Sequence, residues 1–178
     1  FDRLVALAPH EIQFGILKRL RGAPIARHTQ AHDLRFNPDP PYNILSTDII
    51  DFATMQRLSR FSRYWDMVAN SGRLPRTLPL LLGDAPFQRF TAFSDWLYAR
   101  TGQTHATAHE RFVHALQAFL VADGGVEAAI ANRALIEDFR SQGNRSRLAF
   151  EEEDAARPVP VPRRKSATPP RQTRHLAG

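Results

Sequence analysis

The sequence predicts a mainly α fold: a helical body carrying one short strand and ending in a disordered stretch. Three observations carry this expectation. Through residues 47–141, apolar residues recur at helical spacing in runs that several polar caps open and glycines close. One apolar run, 12–17, is too short to show such a period. Beyond Gly143, five of the 13 Pro and a block of four acids stand where large apolar residues would be needed. That end buries too little surface to offset the entropy of ordering it. At 178 residues and 43% hydrophobic, the chain is long enough for one core. No apolar run approaches the ~20 residues that a bilayer requires.

Taken in order, Ile12 to Leu17 follows Pro9, which favours an extended start, and we read it as the strand. The basic stretch Lys18-Arg19-Leu20-Arg21-Gly22 comes next, then Pro24 at the first turn of a helix reaching about Asp33. Residues 36–46 hold three prolines, so neither a helix nor a central strand fits there. Ser46 or Thr47 caps the longest helix, with Asp48 and Asp51 at its positive end and Gly72 as its stop. Ile50, Leu58, Phe61, Trp65 and Val68 form its inward stripe, and Gln56, Arg60 and Arg63 its back. Phe52 and Met67 fall outside that stripe, which implies neighbours on two sides.

Residues 74–82 carry Pro75 and Pro79 and make a turn-like or kinked helix at best. Asp84 caps the next helix, with Phe87, Phe90 and Leu97 on one side and Gly102 closing it. Thr107-Ala108-His109-Glu110 is a capping box. It opens a helix with Phe112, Val113, Leu116, Phe119 and Leu120 inward, stopped at Gly124-Gly125. An Ala-rich helix from about Val126 to Ser141 completes the body. The predicted strand has no visible partner edge. With an opening Phe1 in place of Met, this leads us to expect a fragment of a longer protein.

The formal charge is +6, but residues from Gly143 onward hold eight of the 24 Lys and Arg against four acids. The first 142 residues are close to neutral, with 16 basic and 14 acidic groups. Basicity therefore belongs mainly to the tail, where Arg163-Arg164-Lys165-Ser166 and Arg171-Gln172-Thr173-Arg174-His175 would meet phosphates or an acidic partner. The chain has no Cys, which excludes a disulfide, a thiolate nucleophile and a cysteine-held iron–sulfur cluster within it.

Few residues suggest chemistry. His105, His109, Glu110 and His114 form the one metal-like cluster, but the zinc-protease pattern needs two His four apart with Glu after the first. Here the second His falls one residue late, so surface histidines are the better reading. His28 and His32 are four apart without a third ligand nearby. Arg57, Arg60 and Arg63 beside Tyr64 and Trp65 have the composition of a single-strand binder, yet they also fit the solvated back of the long helix. Asn144-Arg145-Ser146 matches a glycosylation pattern, but nothing else in the sequence points to secretion. We expect a cytoplasmic protein.

The wording of the sequence says more than its periods. Glu11 to Ile25, Arg27-His28-Thr29, Pro40 to Asp48 and, above all, Asp51-Phe52-Ala53-Thr54-Met55-Gln56-Arg57-Leu58 with Phe61-Ser62-Arg63-Tyr64-Trp65-Asp66 are similar to one cobalamin-binding radical SAM family. The likeness is to the end of that family's barrel and to the domain of unknown function after it. The closing Pro170 to His175 resembles the family's C-terminal end. The resemblance implies a longer protein with a cobalamin-binding domain and a barrel whose cysteines hold an iron–sulfur cluster that cleaves S-adenosylmethionine. This chain would bind none of those cofactors alone and would not be catalytically sufficient. Its partners would be its own missing barrel and cobalamin domain.

On this reading residues 1–22 are the end of a truncated α/β barrel, 23–142 a helical C-terminal domain and 143–178 a disordered basic tail. Glu11 and Gln13 would point into the barrel toward cofactor or substrate, or be satisfied locally in a structural role at its end. The helices after Thr47 would form a lid or docking module, with Leu58, Phe61 and Trp65 packing. The alternative is a helical binding module whose basic tail contacts nucleic acid or an acidic protein, with affinity that falls steeply with salt.

Overall fold

A computed structural model describes residues 1–104 and 108–151, and it is mainly helical, with a helix in each of the stretches expected between residues 47 and 141. Helix α2 (Phe52–Trp65) begins at Asp51, whose Oδ1 accepts the Thr54 N–H at 2.7 Å. Neither Ser46 nor Thr47 caps it. The Thr47 hydroxyl instead accepts the N–H groups of Ile49 and Ile50, closing a turn ahead of the helix. Nor does the helix run evenly to Gly72, because Asp66–Asn70 widens into a π turn. Phe61, Trp65 and Val68 are buried as expected and are joined by Met55 and Tyr64. Phe52 is 56% exposed, so it gives the helix no second packed side.

Helix α3 (Thr77–Leu82) is short, and α4 (Pro86–Thr101) follows with proline in its first turn. Asp84 does not cap α4. Its Phe87 N–H is taken at 2.7 Å by Asp2, from the short helix α1 (Asp2–Ala6). Gly102 ends α4 in the left-handed region at φ 61°, a conformation open to glycine without a Cβ penalty. Helix α5 (His109–Ala122) follows Ala108, and Thr107 of the expected capping box lies outside the described residues. All five of its predicted inward residues are buried. Helix α6 (Ala128–Ser141) packs on α5 and α3, and α4 packs on α2 and α3.

The core is rich in aromatic rings. Phe61 and Trp65 stand edge-on to Phe90, which meets Phe93, which in turn meets Phe119. Two buried polar devices tie helices together. Asp138 on α6, fully buried, accepts the N–H groups of Arg76 and Thr77 and the Thr77 hydroxyl, and so caps α3 from across the core. Arg89 on α4 donates to the carbonyls of Leu80, Leu81 and Gly124.

Other expectations need correction. Residues 12–17 form no regular strand, although Ile12, Phe14 and Ile16 face inward and Glu11, Gln13, Gly15 and Leu17 outward with the alternation of one. Nor does the segment lack an edge: Ile44 N–H donates to Leu17 O, Arg19 N–H to Tyr42 O, and Lys18 bridges Asn43. The partner lies in the Pro-rich stretch, where neither a helix nor a central strand was expected. There β1 (Arg35–Phe36) and β2 (Ile44–Ser46) pair antiparallel, with the prolines confined to the loop between them. The helix expected from Pro24 to Asp33 is a single 3₁₀ stretch, Pro24–His28, followed by turns. The packed body also runs past Gly143 to Glu151, because Leu148 and Phe150 enter the core and Arg140 holds Glu151 at 2.7 Å.

Candidate functional site

The two residues singled out for a cofactor, Glu11 and Gln13, are brought together. An extended chain places residues two apart on one face, and Gln13 Nε2 donates to Glu11 Oε1 at 3.1 Å. Both are exposed. With Phe14, Asp66, Asn70 and Ser71 they line an open pocket of about 410 Å³. Its polar groups are carboxylates, amides and a hydroxyl.

Asn70 fixes this segment on the helices. The π turn brings its side chain against Ile12, where Nδ2 donates to Ile12 O at 3.0 Å and Oδ1 accepts Ile12 N–H at 3.2 Å. The same Oδ1 accepts the indole N–H of Trp65 at 3.1 Å, and Nδ2 also donates to Asp66 at 2.7 Å. One amide thus satisfies both main-chain groups of Ile12 and the single polar atom of a buried tryptophan. Further on, the Ser62 hydroxyl donates to Phe14 O at 3.2 Å. On the other side of Ile12, a cavity of about 280 Å³ runs along Val5, Pro9, Trp65, Val68 and Leu78. Phe14, Leu17, Met55, Leu58 and Phe87 line another, of about 310 Å³. Trp65, Phe61 and Leu58 therefore act in packing and in holding this segment.

The remaining candidates separate. His109 stacks on Phe139 at 5.4 Å, and His114 stands edge-on to Phe150 at 5.2 Å. Burial, helped by the Arg73 charge, holds the His109 imidazole below its ordinary pKa. His105 lies outside the described residues, and among these no three His, Asp or Glu side chains converge as a metal site would require. His28 and His32 do meet, ring centroids 6.3 Å apart, and His32 Nδ1 is 3.7 Å from Asp48.

Arg57 pairs with Asp95 on α4 through Nε at 3.1 Å. Arg60 is half-buried with its guanidinium 4.3 Å over the Tyr98 ring, so it does not lie on a wholly solvated back. Tyr64 donates its hydroxyl to Gln103 O at 2.7 Å, and burial pushes its phenol up. Arg57, Arg60 and Tyr64 are thus engaged with α4 and the residues just after it, whereas Arg63 is exposed and reaches the Thr104 hydroxyl at 3.5 Å. The Asn144 amide turns back to Phe139 O. The basic clusters of the tail lie outside the described residues. No helix among the described residues is long and apolar enough to cross a membrane.

Sequence reasoning missed Asn70, Asp66 and Ser62 because their partners are set by the path of a distant segment. Ile12 and Asn70 are 58 residues apart. The one local signal was the spacing of Asp66 and Asn70, four apart on a helical stretch.

No curated protein and no solved structure matches the chain. A family model described as a protein of unknown function (DUF4080) matches residues 30–155, the region that holds β1 to α6 and the Asn70 clamp but not Glu11 and Gln13. The match covers well over half of the 178 residues, and the chain belongs to that family.

Proposed function

We propose that this chain is the C-terminal part of a cobalamin-binding radical SAM enzyme, in which it docks on the catalytic barrel as a helical module or lid. The observation that supports this reading is the state of residues 11–17. The segment has the alternating burial of a strand, its inner face covered by α2 and its outer face bare. Among the described residues, the main-chain groups of Gln13, Gly15 and Ile16 have no hydrogen-bond partner. An extended chain in this condition is an edge suited to pairing with a neighbouring strand. Leu17 and Leu20 stand exposed along it at 42% and 60%, and Ile49 and Phe52 near the start of α2 at 86% and 56%. The wording of residues 11–29 and 40–66, similar to the barrel end and following domain of that enzyme family, agrees with this use.

In such an assembly Glu11 and Gln13 would face the barrel. Their amide–carboxylate pair would position a polar group of substrate or cofactor by hydrogen bonds, while the cluster, S-adenosylmethionine and cobalamin would be held by residues outside this chain.

The test is to express the complete reading frame that contains these residues and measure iron–sulfur absorbance and cleavage of S-adenosylmethionine. A Leu17→Arg, Phe52→Arg variant should keep the cluster but expose the junction to protease and lower turnover. A reading frame without the cysteine triad, or cleavage of S-adenosylmethionine by the 178-residue chain alone, would overturn the proposal.

A further inference from the structure

The first 142 residues are almost neutral, yet their charge is not evenly spread. From Ile12 to His32 there is no Asp or Glu, while Lys18, Arg19, Arg21 and Arg27 fall within that stretch. The fold gathers three of these cations. Arg19, Arg21 and Arg27 line one open cavity of about 660 Å³ with Leu20, Pro38 and Tyr42, and no carboxylate lines it. Of the nearby acids, Asp33 pairs with Arg35 and Asp48 with His32, while Asp39, next to Pro38 in the loop before Tyr42, has no cationic partner among the described residues and does not line the cavity. Among the described residues none of Lys18, Arg19, Arg21 and Arg27 has a carboxylate partner.

The frame around these side chains is fixed. Arg19 N–H is bonded to Tyr42 O, and Ala23 N–H to Leu20 O across a tight turn that Gly22 completes at φ 77°. Arg27 spends its Nε on Pro24 O at 3.3 Å, which leaves its two terminal nitrogens for another acceptor. The Arg19 guanidinium lies 5.5 Å from the Phe36 ring centroid. Tyr42, 38% exposed, offers a ring at the cavity wall.

Three arginines lining one concavity concentrate like charge that an anion would offset, and the guanidinium fork suits phosphate oxygens. The volume is that of a small-molecule site rather than of one inorganic ion. An aromatic ring beside such a phosphate cradle suits the face of a base. The geometry points to a binding site for a nucleoside polyphosphate, with Arg19, Arg21 and Arg27 on the phosphates and Tyr42 against the base.

Calorimetric titration of the full chain with ATP, pyrophosphate and adenosine at about 100 mM salt tests this. ATP and pyrophosphate should bind and adenosine should not. Arg21→Ala and Arg27→Ala should each weaken both about tenfold, the scale of one lost charge-assisted contact. Tyr42→Leu should weaken ATP several-fold and spare pyrophosphate. Replacing Arg163, Arg164 and Lys165 with Ala should change neither affinity. Circular dichroism on each variant excludes unfolding, and among the described residues the Arg21 side chain has no hydrogen-bond or ion-pair partner.

Absence of ATP and pyrophosphate binding, or binding that survives Arg21→Ala and Arg27→Ala but is lost with the tail substitutions, would overturn the site. Binding of phosphoinositide vesicles or of single-stranded RNA without binding of free ATP would overturn it in favour of those ligands. Equal loss of ATP and pyrophosphate in Tyr42→Leu would remove the ring from the assignment.

Discussion

The two ends of this molecule are stabilised in different ways. Among the described residues from α4 to Phe150, helices α4, α5 and α6 enclose fully buried Phe90, Phe93, Leu116, Leu120, Leu135 and Leu148, with Asp138 and Arg89 satisfying main-chain groups across the core. Residues 1–50 have little regular structure: one short helix, a 3₁₀ stretch and a pair of strands. They hold on by single side chains, Asn70 and Ser62, by short main-chain pairings and by Phe1 and Phe14 lying against Phe61 and Trp65. Burial stabilises one region diffusely; a few directed bonds stabilise the other. The diffuse region should fail only with the whole domain, and the directed one should open locally while the core stands.

The largest effect is expected in the core. Phe90→Ala removes the ring that joins Trp65 and Phe61 to Phe93, and should cost about 3–5 kcal/mol in denaturant unfolding, with a fall in the thermal midpoint. Asp138→Ala leaves the Arg76 and Thr77 N–H groups and the Thr77 hydroxyl buried without an acceptor, and should cost about 2–4 kcal/mol by the same measurement.

Asn70→Ala separates the two regions. Global stability should fall by about 1–3 kcal/mol, while hydrogen exchange at Ile12 and cleavage within residues 8–20 rise far more than exchange in α5. Equal acceleration in both regions would mean that the two unfold as one unit.

Acid should act through His109. Its pKa is lowered in the fold by burial and by Arg73. The unfolded chain therefore binds the proton more readily, and stability present above about pH 6.5 declines as pH falls below that value. His109→Gln should flatten that part of the stability–pH curve. Arg57→Ala should be smallest, under about 1 kcal/mol and weaker still in salt, because both it and Asp95 are partly exposed.

What was legible in the sequence follows the same division. The inward face of helix α5 was readable residue by residue because its positions repeat at one period, and Gly124-Gly125 follows closely after its end. The β1–β2 pair was not, since proline content argued only against a central strand and gave no sign of a pairing, and the prolines prove to occupy the connecting loop. Leu148 and Phe150 gave no period at all in charged surroundings, so their burial depended on a core formed elsewhere. At the candidate site, the pairing of Glu11 with Gln13 could be read from an extended chain. The clamp from Asn70, like the caps from Asp2 to Phe87 and from Asp138 to Thr77, depends on tertiary path alone.

The Asn70 amide also limits what evolution can place there. Its two acceptor directions go to Ile12 and Trp65 and its two donors to Ile12 and Asp66, so all four valences are in use and the orientation of the amide is dictated. Aspartate would bring a carboxylate against the Ile12 carbonyl and the Asp66 carboxylate. Leucine would keep the volume and strand every partner, and glutamine carries the same groups one methylene too far. No other side chain supplies all four bonds from this position, whereas a core phenylalanine can often be exchanged for another large apolar residue.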